Sequence, residues 1–167
     1  MSILYNPWQV GDVYAYCFHK AQSKATGMVG KYILLQKIAD EAWCDGITLS
    51  RLQVYDAVLD ELPQNLRLED FRILPVDAPE RFFMNEEVIH ASPDMNLLMV
   101  IYKKNDYPQK NLTYLGNYQN PYDYPNANAN SSAHNWFDIE KWFLYYYNLW
   151  QDIEYSFDQD SVIVKKK

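Results

Sequence analysis

Cys17 and His19 stand two residues apart in a run of β-forming residues, a spacing at which side chains share one face of a strand. A transition-metal site needs converging His and Cys ligands, and this chain has three histidines and two cysteines. A lone C-x-H pair without a second cluster reads as a buried cysteine beside a hydrogen-bonded histidine, so no metal and no other cofactor is expected. His90 and His134 stand alone in loop sequence. Adjacent acids at Asp60-Glu61, Glu69-Asp70 and Glu86-Glu87 are the raw material of an acid and base pair, but neighbours of this kind usually form a solvated surface. The sequence holds no G-x-S-x-G, no P-loop and no dinucleotide fingerprint, so catalysis is not expected.

The most unusual chemistry lies in the stretch 117–136, where rings alternate with amides and an acid. Tyr118, Tyr122, Asp123, Tyr124, Asn126 and Trp136 are the candidate partner-binding residues. Tyrosine and tryptophan offer large contact area with few rotors, and asparagine adapts its hydrogen bonds. The same residues suit sugar stacking and hydroxyl bonding, so a glycan or small-ligand binding module is the alternative. A loop pinned to the fold by its own tyrosine rings is the plain structural reading.

These residues need a scaffold. Pro7 and the Gly11-Asp12 turn introduce a strand over 13–19, with Tyr14, Tyr16 and Phe18 on one side and Val13, Ala15 and Cys17 on the other, both sides apolar enough for burial. Residues 20–30 read as a loop and 31–38 as a second strand, making a hairpin with a long tip. Over 47–58 a long strand competes with a helix, because the periodicity is ambiguous. A helical turn is expected at 65–70 and a short strand at 71–74. Residues 97–103 carry the clearest strand signal and are expected at the centre of the sheet, with a further strand at 112–115 ending at Gly116.

Residues 136–150 read as an amphipathic helix with Asn135 as N-cap and Asp138 and Glu140 in the first turn, where the helix dipole favours negative charge. Trp136, Ile139, Phe143, Tyr146 and Trp150 form its apolar stripe, opposite Asp138, Lys141, Tyr145, Asn148 and Asp152. The expected architecture is α+β: a strongly curled, mostly antiparallel sheet or small SH3-like β-barrel covered by this C-terminal aromatic helix. One globular domain is expected over 1–155, with the sheet in 8–116, the long Asn/Tyr loop in 117–135 and a flexible tail at 156–167.

The chain has 167 residues, 49% of them hydrophobic and 16% aromatic, which is ample for one core. Its net charge of −7 repels phosphate backbones and anionic lipid, so neither nucleic acid nor a membrane is an expected partner, whereas a basic protein is. The N-terminal residues lack a secretory pattern, so a cytoplasmic location with reduced cysteines is expected.

Three segments carry a family resemblance. Trp8-x-x-Gly11-Asp12-Val13-Tyr14-Ala15-Tyr16, then Gly30-Lys31-Tyr32-Ile33-Leu34, and later Thr113-Tyr114-Leu115-Gly116-Asn117 resemble bacterial immunity-type proteins of polymorphic toxin systems, in particular the immunity protein 26 group. The resemblance lies mainly in the first third of the chain. It implies a small β-rich domain that binds one cognate toxin and blocks its active site or substrate path. Under that reading Gly11 and Asp12 are architectural, the glycine for its backbone freedom and the aspartate as a cap on local amides.

Overall fold

A computed structural model describes residues 4–5, 8–42, 48–74, 88–91, 97–100, 102–103, 111–121, 132–133, 138–151, 153–157 and 162–166. The central hairpin pairs β2 (Asp12–Cys17) with β3 (Tyr32–Ala42) antiparallel, Val13 opposite Gln36 and Cys17 opposite Tyr32. Its tip, read from sequence as loop, contains one helical turn, α1 (Ala21–Lys24), which buries Ser23. Ile33 to Lys37 are buried in an unbroken run, the mark of a strand covered on both faces. β4 (Thr48–Val54) pairs antiparallel with β3, resolving the strand-or-helix ambiguity in favour of strand. Leu52 and Val54 are buried on one face of the sheet and Tyr55 on the other, the alternation of a strand.

β8 (Leu112–Asn117) flanks β2 on its other side, with a register shift that leaves Leu115 opposite no residue of β2. Such a bulge sharpens local twist, and Gly116 takes the positive φ of 129° that lets the strand bend there. Beyond β4 come β6 (Leu97–Val100) and the two-residue β9 (Ser132–Ala133), giving the order β8-β2-β3-β4-β6-β9, antiparallel except for β6 and β9.

The α+β class therefore holds, but the sheet is open rather than a closed barrel. Closure requires the two outermost strands to pair, and here the last, β9, is short and lies parallel on β6. Nor is the 97–103 segment central: β6 lies next to the edge strand β9, and Tyr102–Lys103 (β7) pairs with Leu4–Tyr5 (β1) in a separate sheet. The centre belongs to β3 and β4. A 3₁₀ turn at Leu68–Asp70 fills the expected helical turn, and the expected strand at 71–74 shrinks to a single bridge between Tyr55 and Ile73.

α2 (Ile139–Trp150) begins three residues later than the sequence reading, with Asp138 as N-cap; Asn135 and Trp136 lie outside the described residues. It lies on the sheet face that carries Tyr16, Ile33, Leu35, Leu52 and Val54, burying Ile139, Trp142, Phe143 and Trp150 among them. Phe143 meets Phe18 edge to face at 5.7 Å. Each large ring so buried contributes about 1.5–3 kcal/mol. Tyr146, expected in the same stripe, is half-buried at its margin. The other sheet face buries Val13, Ala15, Leu34 and Tyr55 under Leu68 and Phe71. The hairpin thus has two dry sides, as its paired apolar faces require.

The segment expected as a flexible tail contains strand residues. β10 (Ile153–Phe157) and β11 (Val162–Lys166) form an antiparallel hairpin, and β11 also pairs with β5 (Val88–Ala91) in a three-stranded sheet. Val162, Ile163 and Val164 supply the β-branched run, while the polar residues around them and the terminal lysines suggested solvent instead. Among the described residues no helix is long and apolar enough to cross a membrane.

Candidate functional site

The three segments that carry the resemblance lie on adjacent strands, β8, β2 and β3, and the Gly11-Asp12 turn joins the first of them to the third, while Gly30–Leu34 pairs with the far end of β2. Gly11 adopts φ 95°, and a Cβ there would stand 2.8 Å from the Asn117 side chain. Only glycine fits both the angle and the space. The Gly11 amide donates to the Lys37 carbonyl at 2.8 Å, and its own carbonyl accepts from the amide of Tyr118 at 2.9 Å. Asp12 caps the turn: one carboxylate oxygen accepts from the Gln9 amide at 2.8 Å, the other from Asn117 Nδ2 at 3.1 Å and the Tyr114 hydroxyl at 3.3 Å. The architectural role expected of this pair is what the geometry gives.

Tyr114 stands on the outer strand of the sheet. Its ring is 54% exposed and lies 5.3 Å from Tyr14, which in turn stacks on Trp8 at 4.5 Å. Desolvation of the hydroxyl, then the charge and hydrogen bond of Asp12, raise the Tyr114 pKa above the ordinary tyrosine value.

From β8 the chain enters the Asn/Tyr stretch across a layer of buried amides. Gln36 of β3 and Gln53 of β4 are cross-strand neighbours. Gln36 Nε2 donates to the carbonyls of Gly11 and Tyr118 at 3.3 and 3.0 Å, and its Oε1 accepts from the Tyr55 hydroxyl at 2.7 Å. Gln53 Nε2 reaches both the Tyr55 hydroxyl and Asn120 Oδ1 at 3.0 Å. Buried amide networks of this kind fix one arrangement of the groups they join. They moor the start of the stretch to the sheet.

Tyr118, the one candidate contact residue among the described residues, is part of that mooring. Its ring folds back over Gly116, and its hydroxyl donates to the Leu115 carbonyl at 3.3 Å. Tyr122, Asp123, Tyr124, Asn126 and Trp136 lie outside the described residues.

A second polar centre was not foreseen. Glu140, expected only to place negative charge in the first turn of α2, is fully buried. It accepts from Ser23 Oγ at 2.6 Å, the Tyr16 hydroxyl at 2.8 Å, and the amides of Lys20 and His19 at 3.1 and 3.2 Å. Burial alone would push its carboxyl up, but the hydrogen bonds from Ser23, Tyr16 and those two amides outweigh it and hold the pKa below the ordinary glutamate value. Burial first, then the hydrogen bond and charge of Glu140, drive the Tyr16 hydroxyl far above its usual range.

His19 sets Nδ1 3.2 Å from the Glu140 carboxylate and Nε2 3.4 Å from Asn111 Nδ2. That arrangement suits a ring with its proton on Nδ1, oriented by the carboxylate. The Ser23 and Tyr16 hydroxyls point at the carboxylate, so the cluster acts as a clasp between the tip of the hairpin and the helix. Its donors come from residues 16–23, more than a hundred positions upstream, and no local pattern could reveal them.

The chemistry first suggested by spacing falls apart in space. Cys17 Sγ faces the Phe18 carbonyl while His19 faces Glu140, and among the described residues no three His, Cys, Asp or Glu side chains converge on a metal position. Of the paired acids, Asp60 meets Lys31, and Glu69 and Asp70 meet Arg67, all at the surface; Glu86 and Glu87 lie outside the described residues. Exposed pairs of this kind contribute about 1 kcal/mol at most. Compared with protein-family models, curated proteins and solved structures, the chain matches none.

Proposed function

We propose that the chain is a non-catalytic protein-binding protein of the immunity type, an inhibitor of a basic toxin inside the cell. The observation that carries this reading is the convergence of the three immunity-like segments on neighbouring strands, locked together by Asp12, Gln36 and the amide of Tyr118. A rigid frame of this kind limits the ordering cost of recognition. The net charge of −7 supports a basic target, because complementary fields speed encounter and exclude wrong partners. In this reading Tyr122, Asp123, Tyr124, Asn126 and Trp136 add contacts beyond the moored Asn120.

The test is co-expression with the product of the adjacent gene. The expected result is a 1:1 complex on size exclusion at moderate salt, together with survival of cells that the neighbouring product alone would kill. Separate elution and no protection at either low or moderate salt would overturn the proposal.

A further inference from the structure

We propose that Tyr114, at the outer strand of the sheet, is a docking point for an arginine side chain of a basic partner, in a contact of the cation–π type. This rests on the immunity-type reading for the partner's basic character, but the surface itself stands on geometry. Tyr114 is one of the most exposed large side chains among the described residues and belongs to a strand rather than a loop. Its ring is held by two neighbours: Tyr14, stacked on Trp8, lies 5.3 Å away at a tilt of 56°, and the hydroxyl donates a hydrogen bond to the Asp12 carboxylate. An O–H that donates to a carboxylate leaves electron density on the ring, and an electron-rich ring face attracts a flat cation.

The surroundings fit a guanidinium. The exposed Asn117 side chain, which donates to the same Asp12 oxygen as the Tyr114 hydroxyl, borders the ring and can hydrogen-bond a flat cation. Asp12 supplies a buried negative charge close to the ring, in a chain whose net charge is −7. Tyr145 is a built-in control: it is 58% exposed, rests edge-on against Tyr146 at 5.2 Å, and has no acidic hydrogen-bond partner among the described residues.

The experiment titrates the ¹⁵N-labelled full chain with an acetylated tetra-arginine amide at low salt. Support consists of amide shifts concentrated on residues 10–14 and 112–117, with Tyr114→Leu weakening binding about two- to fivefold while Tyr145→Leu leaves it unchanged. Tyr114→Phe, which keeps the ring, should retain most of the affinity and guards against loss through misfolding. Shifts confined to the acidic 56–70 segment, or a Tyr114→Leu chain that binds as well as the wild type, would overturn the proposal. Because the probe is a peptide, a negative result here leaves the co-expression test of the toxin-binding reading intact.

Discussion

Glu140 gathers hydrogen bonds from side chains and amides that would otherwise be buried unsatisfied. Glu140→Ala leaves the Ser23 and Tyr16 hydroxyls and two amides without their acceptor, and should cost about 3 kcal/mol in urea or guanidinium unfolding. The pH dependence has a definite sign. Since the folded pKa of Glu140 is lowered, its stabilisation is complete above the ordinary glutamate value near 4.5 and drains away as the pH falls through the lower folded value. The stability difference between wild type and Glu140→Gln should therefore shrink on acidification below about pH 4.5. Gly11 gives a second test at this scale. Gly11→Ala must hold a side chain at φ 95° against Asn117 and should lose about 2 kcal/mol or more, whereas Gly27→Ala, at φ 71° with open space around it, should lose only about 1 kcal/mol. Thermal melts of the two variants separate strain from clash.

At the level of elements, the aromatic seam between the hairpin and α2 carries the main packing. Phe143→Ala removes a buried ring from between Phe18 and Tyr147 and should cost about 3–5 kcal/mol, while Tyr145→Ala on the outer side should stay within about 0.5 kcal/mol of the wild type by chemical denaturation. This seam was legible in the sequence because both of its partners announce themselves locally, the strand by alternation at residues 13–18 and the helix by the spacing of Ile139, Phe143 and Trp150. The β2–β3 hairpin and β8 were legible for the same reason. What escaped was non-local. Nothing near Glu140 marks it as buried, because its donors arrive from the far end of the chain. The β10–β11 hairpin hid behind its polar residues, since its only apolar run, 162–164, is too short to signal without the neighbour it pairs with. The 97–103 segment misled in the opposite way: strong local propensity says that a strand forms, not where in the sheet it sits.

Across the whole molecule, β11 lies between β10 and β5, so it ties the C-terminus back to a strand some seventy residues earlier. A chain ending at residue 157 should lose amide-exchange protection in Val88–Ala91 and Ile153–Phe157, while Ile33, Leu34 and Leu35 in the centre of the larger sheet keep theirs. Hydrogen exchange read by mass spectrometry checks both halves of that statement.

The two rims of the six-stranded sheet, β8 and β9, are consecutive along the chain, so the stretch that joins them divides the molecule into two unequal parts that both contribute to the six-stranded and the three-stranded sheet. On the C-terminal side of that join, β9 finds its neighbour in β6, β11 in β5, and α2 in the apolar face of the hairpin, all supplied by the N-terminal side. A backbone cut between residues 122 and 131 therefore leaves each strand and helix of the described residues whole. Two fragments produced separately should complement one another into a nicked native fold, which makes this protein a natural split scaffold whose reassembly reports on the proximity of whatever is fused to its halves.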